Sequence, residues 1–211
     1  IELHVKPIKL VYENKPESFI TVVAPNINDL KKGSELASSI KIVKNEVGNS
    51  IVWYEHNGEL VNVEFTDDDF ENLKNIISDP FTMKYYPRPY DDADVQKWIN
   101  WCKACYLKRG FGLFGVYLKE NNKFIGDCGI TLQNINGKEV FEIGYHFHKD
   151  YWNRGYASEA SQFFKKYYFD NKIGNEVYSY MNKDNIASRK VAEHNGMSLV
   201  EEYEQDEEHL V

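Results

Sequence analysis

The sequence predicts an α+β fold: a mixed, mostly antiparallel twisted sheet with one parallel strand pair, flanked by helices. Strand-like runs at residues 113–118, 124–132 and 140–147 follow one another with only short turn segments between them, which suits an antiparallel meander. An aromatic helix pattern then separates the third run from a fourth at 176–181, and a strand-helix-strand crossover makes those two strands parallel.

Residues 1–58 are expected to form a small α+β extension of unknown role, a lid, a dimer contact or a substrate-contacting flank, with the main domain at 59–211. Within it, 2–11 alternates like a strand apart from Pro7, 19–24 is short and β-branched, 29–43 has helical character and 51–55 reads as a strand. Asn57-Gly58 is a turn signal before a strand at 60–65. Thr66 and the acids Asp67, Asp68 and Asp69 then open a helix whose apolar positions are Phe70, Leu73, Ile76 and Ile77. The loop at 80–89, stiffened by prolines, offers Tyr86 and Arg88, with Tyr90 just beyond, as groups that can line a cleft or simply pack it. Asp91 and Asp92 start a second helix with an apolar face of Val95, Trp98, Trp101, Cys102 and Cys105, ended by Gly110 and Gly112. The helix after the meander carries Ala160, Phe163, Phe164, Tyr167 and Tyr168 on one side. Asp184 or Asn185 caps a last helix that stops at Asn195-Gly196, and 199–203 begins a closing strand whose completion is left open.

Composition bounds the function. The 211 residues are 42% hydrophobic and 15% aromatic, enough for a real core, and no apolar run is long enough to span a membrane. The first residues alternate like a strand, unlike a secretory signal, so the cytoplasm is the expected location. A formal charge of −8 argues against nucleic-acid binding and favours a cationic partner such as an amine, a basic peptide terminus or a polyamine. Three cysteines cannot pair completely, and Cys102 and Cys105 sit inside a helical run as two buried residues of one face. His146 and His148 alternate on a strand without a carboxylate or cysteine to complete a set, so no metal is expected.

The segment Tyr151-Trp152-Asn153-Arg154-Gly155-Tyr156-Ala157-Ser158-Glu159-Ala160 joins the third strand to its helix. A bent junction that opens a helix presents backbone N–H groups with no intrahelical partner, and the helix dipole favours an anion there. With side chains kept small at Gly155 and Ala157, backbone can approach a pyrophosphate. This segment resembles motif A of the GNAT acetyltransferases, with Trp152 standing where the general pattern has Gln or Arg. An aromatic lead of that kind is similar to the RimJ/RimL-like branch. The segments Phe124-Ile125-Gly126-Asp127-Cys128-Gly129, Glu142-Ile143-Gly144-Tyr145, Asn185-Ile186-Ala187-Ser188 and Asn195-Gly196-Met197 fall in the same family order.

The resemblance implies acetyl-CoA as cosubstrate, with its pantetheine arm in a gap between splayed parallel strands. Its pyrophosphate would rest on the amides of Asn153, Arg154, Gly155, Tyr156, Ala157 and Ser158, with Arg154 as countercharge. Amides near Ile143, Gly144 and Tyr145 would polarise the thioester carbonyl. Asn185 would contact the arm or merely cap its helix. Glu142 is the expected general base, the other reading being a half-exposed strand Glu in an ion pair. Many relatives protonate the leaving thiolate with a Tyr that is Ala192 here; Ser188 is the hydroxyl available instead. Tyr86, Arg88 and Tyr90 are expected to meet the acceptor. The implied reaction is N-acetylation of a primary amine, first a protein N-terminal α-amine, with a polyamine or aminoglycoside as the alternative acceptor. A homodimer, or an acyl-CoA-binding module without turnover, remains compatible with the residues.

Overall fold

The computed structural model describes residues 64–118, 121, 123–135 and 137–202, together with the backbone of four earlier strands. These are β1 (Pro7–Glu13), β2 (Ile40–Lys44), β3 (Ser50–His56) and β4 (Glu59–Asn62). There follow α1 (Phe70–Ile77), α2 (Asp92–Arg109), β5 (Leu113–Tyr117), β6 (Phe124–Ile135), β7 (Lys138–Phe147), α3 (Tyr156–Asp170), β8 (Glu176–Asn182), α4 (Ile186–His194) and β9 (Ser198–Glu202). Six strands form a sheet in the order β5-β6-β7-β8-β1-β9, and β2-β3-β4 form a second sheet.

The meander is present: β6 pairs antiparallel with both β5 and β7. β7 and β8 run parallel and pair at a single position, Glu142 opposite Tyr178. Beyond that position no backbone pair joins the two strands; the bonds across are made by side chains, Ser179 Oγ donating to Ile143 C=O at 3.0 Å and Tyr180 N–H to the Glu142 carboxyl, and a gap opens in the middle of the sheet.

Side chains alternate across a strand, so β7 sorts the helices onto two faces. Phe141 packs its ring on Tyr168 of α3, and the Tyr145 hydroxyl donates to the carbonyl of Ser188 on α4. His146 points the other way, edge-on to Trp98 of α2. Between these layers lie Leu73, Ile99, Ile130 and Val177, all fully buried. α2 is fixed at both ends: Asp91 and Asp94 exchange side-chain-to-backbone bonds at its start, and Gly110 takes a left-handed φ of 72° at its end. A capping arrangement of that kind contributes about 1 kcal/mol.

The strands do not divide at 58/59. β1, expected in a separate extension, sits inside the larger sheet between β8 and β9, antiparallel to both. The backbone groups along the outer edge of β8 need partners, and a segment distant in sequence supplies them. Conversely, β4, expected as the first strand of the main domain, ends at Asn62 and belongs to the small sheet. Residues 40–44, expected to end a helix, form strand β2, where the β-branched Ile40, Ile42 and Val43 pair with β3. The strand expected at 19–24, the helical character at 29–39 and the turn at Asn57-Gly58 lie outside the described residues.

Candidate active site

The gap between β7 and β8 widens into a cavity of about 120 Å³. Its aromatic wall is Tyr85, Tyr86, Tyr90, Trp98 and Trp101, and its floor includes Glu142, Ile143, Gly144, Tyr145 and His146. Among the described residues that line it, Glu142 is the single carboxylate. His148 N–H donates to Ile125 C=O on the β6 side. Antiparallel ladders alternate in this respect, so the amide of Tyr145 faces the open β8 side, free to meet an incoming carbonyl.

Glu142 is 8% exposed and lies at the last paired position before the strands part. Burial pushes its carboxyl up to about 7, against the opposing pull of hydrogen bonds from Tyr180 and Thr131. Tyr180 N–H donates to Oε1 and the Thr131 hydroxyl to Oε2, both at 3.3 Å. A carboxylate so placed can accept a proton near neutral pH. The half-exposed, ion-paired Glu that was the competing expectation is not what forms.

A second polar chain enters the same cavity. Asp127 is fully buried on β6, and its Oδ1 lies 2.9 Å from both the backbone N and Nδ1 of His146. Nε2 of that imidazole is 2.8 Å from the Tyr86 hydroxyl. Burial disfavours the imidazolium, but the adjacent Asp127 charge and hydrogen bond outweigh it, and the net shift of His146 is upward. Burial, reinforced by Tyr90 and Glu142, holds the Tyr86 phenol well above its ordinary value.

Residues 153–158 form the bent junction into α3. Asn153 and Gly155 both take left-handed φ, 59° and 86°. Trp152 N–H donates to Lys149 C=O and Glu159 N–H to Gly155 C=O. The amides between them have no main-chain acceptor among the described residues. Nothing lies within 4 Å of where a Gly155 Cβ would stand, so the space in front of the turn is open. Arg154 lies over the ring of Tyr151, 5.6 Å from its centroid. Open amides here, together with a strand edge that has no backbone partner beyond Glu142, suit the pyrophosphate and arm of acetyl-CoA.

The structure brings Tyr86, Tyr90, Glu142, Ile143, Gly144, Tyr145, Asn185 and Ser188 to one cavity. Arg88 is not among its lining residues; its guanidinium is held 2.6 Å from Asp94 on α2 and its side chain is 59% exposed. Asn185 does cap α4, its side chain accepting from Ser188 N–H at 3.1 Å. Ala192 is buried. Reading along the chain missed Asp127, His146, Trp98, Trp101, Thr131 and Tyr180. One signal was available for the first two: the short turn expected between the runs at 124–132 and 140–147 makes them antiparallel neighbours, and in the structure their register sets Asp127 opposite His146. Among the described residues, no group of three or more His, Cys, Asp or Glu is placed to hold a metal ion. No described helix is long and apolar enough to cross a membrane.

Residues 60–198 match the acetyltransferase (GNAT) domain model, which covers most of the chain and all of the site. The chain therefore belongs to the GNAT acetyltransferase family and is an acyltransferase enzyme. It is 34% identical over 122 residues to the uncharacterized protein YkkB of Bacillus subtilis, across 58% of this chain and 71% of that protein. The uncharacterized N-acetyltransferase YnaD of the same organism is 30% identical over 135 residues, 64% of this chain and 76% of its own. The GNAT-family acetyltransferase structure from Bacillus anthracis aligns with a TM-score of 0.54 at 26% identity, over 75% of this chain and 82% of that one. An acetyltransferase from Agrobacterium tumefaciens shares the fold, with a TM-score of 0.59 at 22% identity over 79% and 96% of the two chains.

Proposed function

We propose that this enzyme acetylates the α-amine of a protein N-terminus in the manner of the RimJ/RimL-like branch, with acetyl-CoA as donor, in the cytoplasm. Acetyl-CoA supplies an acetyl group activated as a thioester. The observation that carries the reading is Glu142, a buried carboxyl raised to about 7 on the floor of the cavity, where the two parallel strands separate. Glu142 takes a proton from the attacking nitrogen. The Tyr145 amide is oriented to stabilise charge on the carbonyl oxygen. Ser188 serves the leaving sulfur in this reading, supported by its position among the residues that line the cavity. The amides of 153–158 and the Arg154 guanidinium hold the diphosphate end.

Two features favour an α-amine over a polyamine or aminoglycoside. An α-amine with a reference pKa of about 8 is matched by a base near 7, whereas a lysine-like amine at about 10.4 is not. A substrate with several ammonium groups needs several anionic partners, yet the cavity offers one carboxylate and an aromatic wall suited to a single cation. Residues 1–58 and a homodimer have no assigned part in this scheme.

The test is release of free thiol from acetyl-CoA with a panel of amines. A peptide with a free N-terminus should stimulate release, and spermidine and kanamycin should not. Glu142→Gln should lower kcat by roughly 100-fold with acetyl-CoA affinity unchanged by calorimetry. Undiminished turnover in that variant removes Glu142 as the base. Acetyl-CoA binding with no release for any amine would leave a binding module instead of an enzyme of this type.

A further inference from the structure

An α-amine with a reference pKa of about 8 reaches the site mainly as its ammonium ion at neutral pH. Acetylation then requires the nitrogen to lose two protons, one to free its lone pair and one as the C–N bond forms and the C–S bond breaks. The departing thiolate takes up one proton, and the other is the net proton of the reaction. Glu142 is one carboxyl and holds one proton at a time. Building on the acetyltransferase reading, a second acceptor is needed for the proton that must leave first.

We propose that Tyr86, His146 and Asp127 form a proton outlet that takes the first proton from the acceptor ammonium, leaving Glu142 to take the second during attack. Tyr86 lines the cavity, and its hydroxyl is 2.8 Å from His146 Nε2. His146 Nδ1 is 2.9 Å from Asp127 Oδ1, so the neutral imidazole carries its proton on Nδ1 and presents Nε2 as the acceptor for the Tyr86 O–H. The ammonium gives a proton to the phenol oxygen as the phenol proton passes to Nε2. The product is a neutral amine, an intact phenol and an imidazolium beside Asp127. His146 afterwards returns the proton to solvent. Glu142 and His146 are four residues apart on β7, hence on the same face, on either side of Gly144. The groups facing His146 are Tyr86 from the loop before α2, Trp98 from α2, Asp127 from β6 and Glu142 from its own strand. Burial of Asp127 with Oδ2 unpartnered is costly, and an imidazolium formed next to it offsets that cost. The upward shift of His146 agrees with a group braced to receive a proton.

Two measurements decide the proposal. The first compares kcat/KM for wild type, Tyr86→Phe and Glu142→Gln with an N-terminal peptide from pH 6.5 to 9.5. The Tyr86→Phe defect should be on the order of thirtyfold at pH 7 and shrink to under about threefold above the amine's own pKa, where no outlet is needed; the Glu142→Gln defect should persist. A Tyr86→Phe defect that is the same at every pH, or no defect, overturns the outlet. The second reads the His146 ring nitrogens by NMR in the free protein and needs no turnover. Neutral His146 should carry its proton on Nδ1, and Asp127→Asn should move its titration midpoint to lower pH. A proton found on Nε2, or a midpoint unmoved by Asp127→Asn, overturns the chain itself. Wild type that binds acetyl-CoA yet acetylates no amine overturns the transferase reading and, with it, the outlet as a catalytic device, whatever the NMR shows.

Discussion

The junction at 153–158 and the cavity beneath Tyr86 both adjoin β7, yet they are built from different parts. The junction is main chain: amides at the start of α3 left without acceptors, with left-handed φ at Asn153 and Gly155. The cavity is side chain: a loop, two helices and four strands each contribute a group, and Glu142 and His146 owe their basicity to what surrounds them. A main-chain site tolerates most substitutions except where φ itself is demanding. A side-chain site fails residue by residue, and its electrostatics bear on the stability of the whole fold.

The sharpest test of that difference is stability against pH. Glu142 is raised from 4.5 to about 7, so its contribution is fully present below 4.5 and is lost as pH rises through about 7. A shift of that size corresponds to about 3 kcal/mol. Glu142→Gln should therefore be more stable than wild type by about that amount at pH 8 and nearly equal to it at pH 4, measured by urea denaturation. Equal stability at both pH values would mean the carboxyl is not desolvated. A smaller effect is expected at the junction, where Gly155→Val forces a β-branched residue to φ 86° at about 1–2 kcal/mol. Its acetyl-CoA affinity should fall roughly tenfold, while Arg154→Gln weakens binding less and mainly at low salt. A side-chain replacement at 156 that abolished binding would break the main-chain account. Ser188→Ala should be the mildest, lowering kcat by about threefold with no change in acetyl-CoA affinity, because a thiolate is a good leaving group.

Much of the larger sheet was legible because it is local. Short turns between 113–118, 124–132 and 140–147 order the meander, and the helix pattern after it forces a parallel return. β1 was not legible in the same way: its alternation says strand, but nothing in it names β8 and β9 as partners. Glu142 could be picked out by its place in a family pattern, whereas its raised carboxyl could not. Arg88 illustrates the opposite error. Its place among tyrosines suggested a cleft, yet Asp94, in the first turn of α2, holds it outside. Trp98 and Trp101 read as core by helical spacing, and the structure gives the same face a second use as cavity wall.

By itself the sequence determined the elements of the main fold, the bent junction with small residues at Gly155 and Ala157, and the strand that carries Glu142. Those features depend on backbone preference and on periodicity, which act over a few residues. Tertiary structure decided that β7 and β8 part after a single pair, that β1 completes the sheet, and that Asp127, His146 and Tyr86 meet. Burial and distance between groups far apart in the chain set proton affinity, and neither exists until the chain has folded.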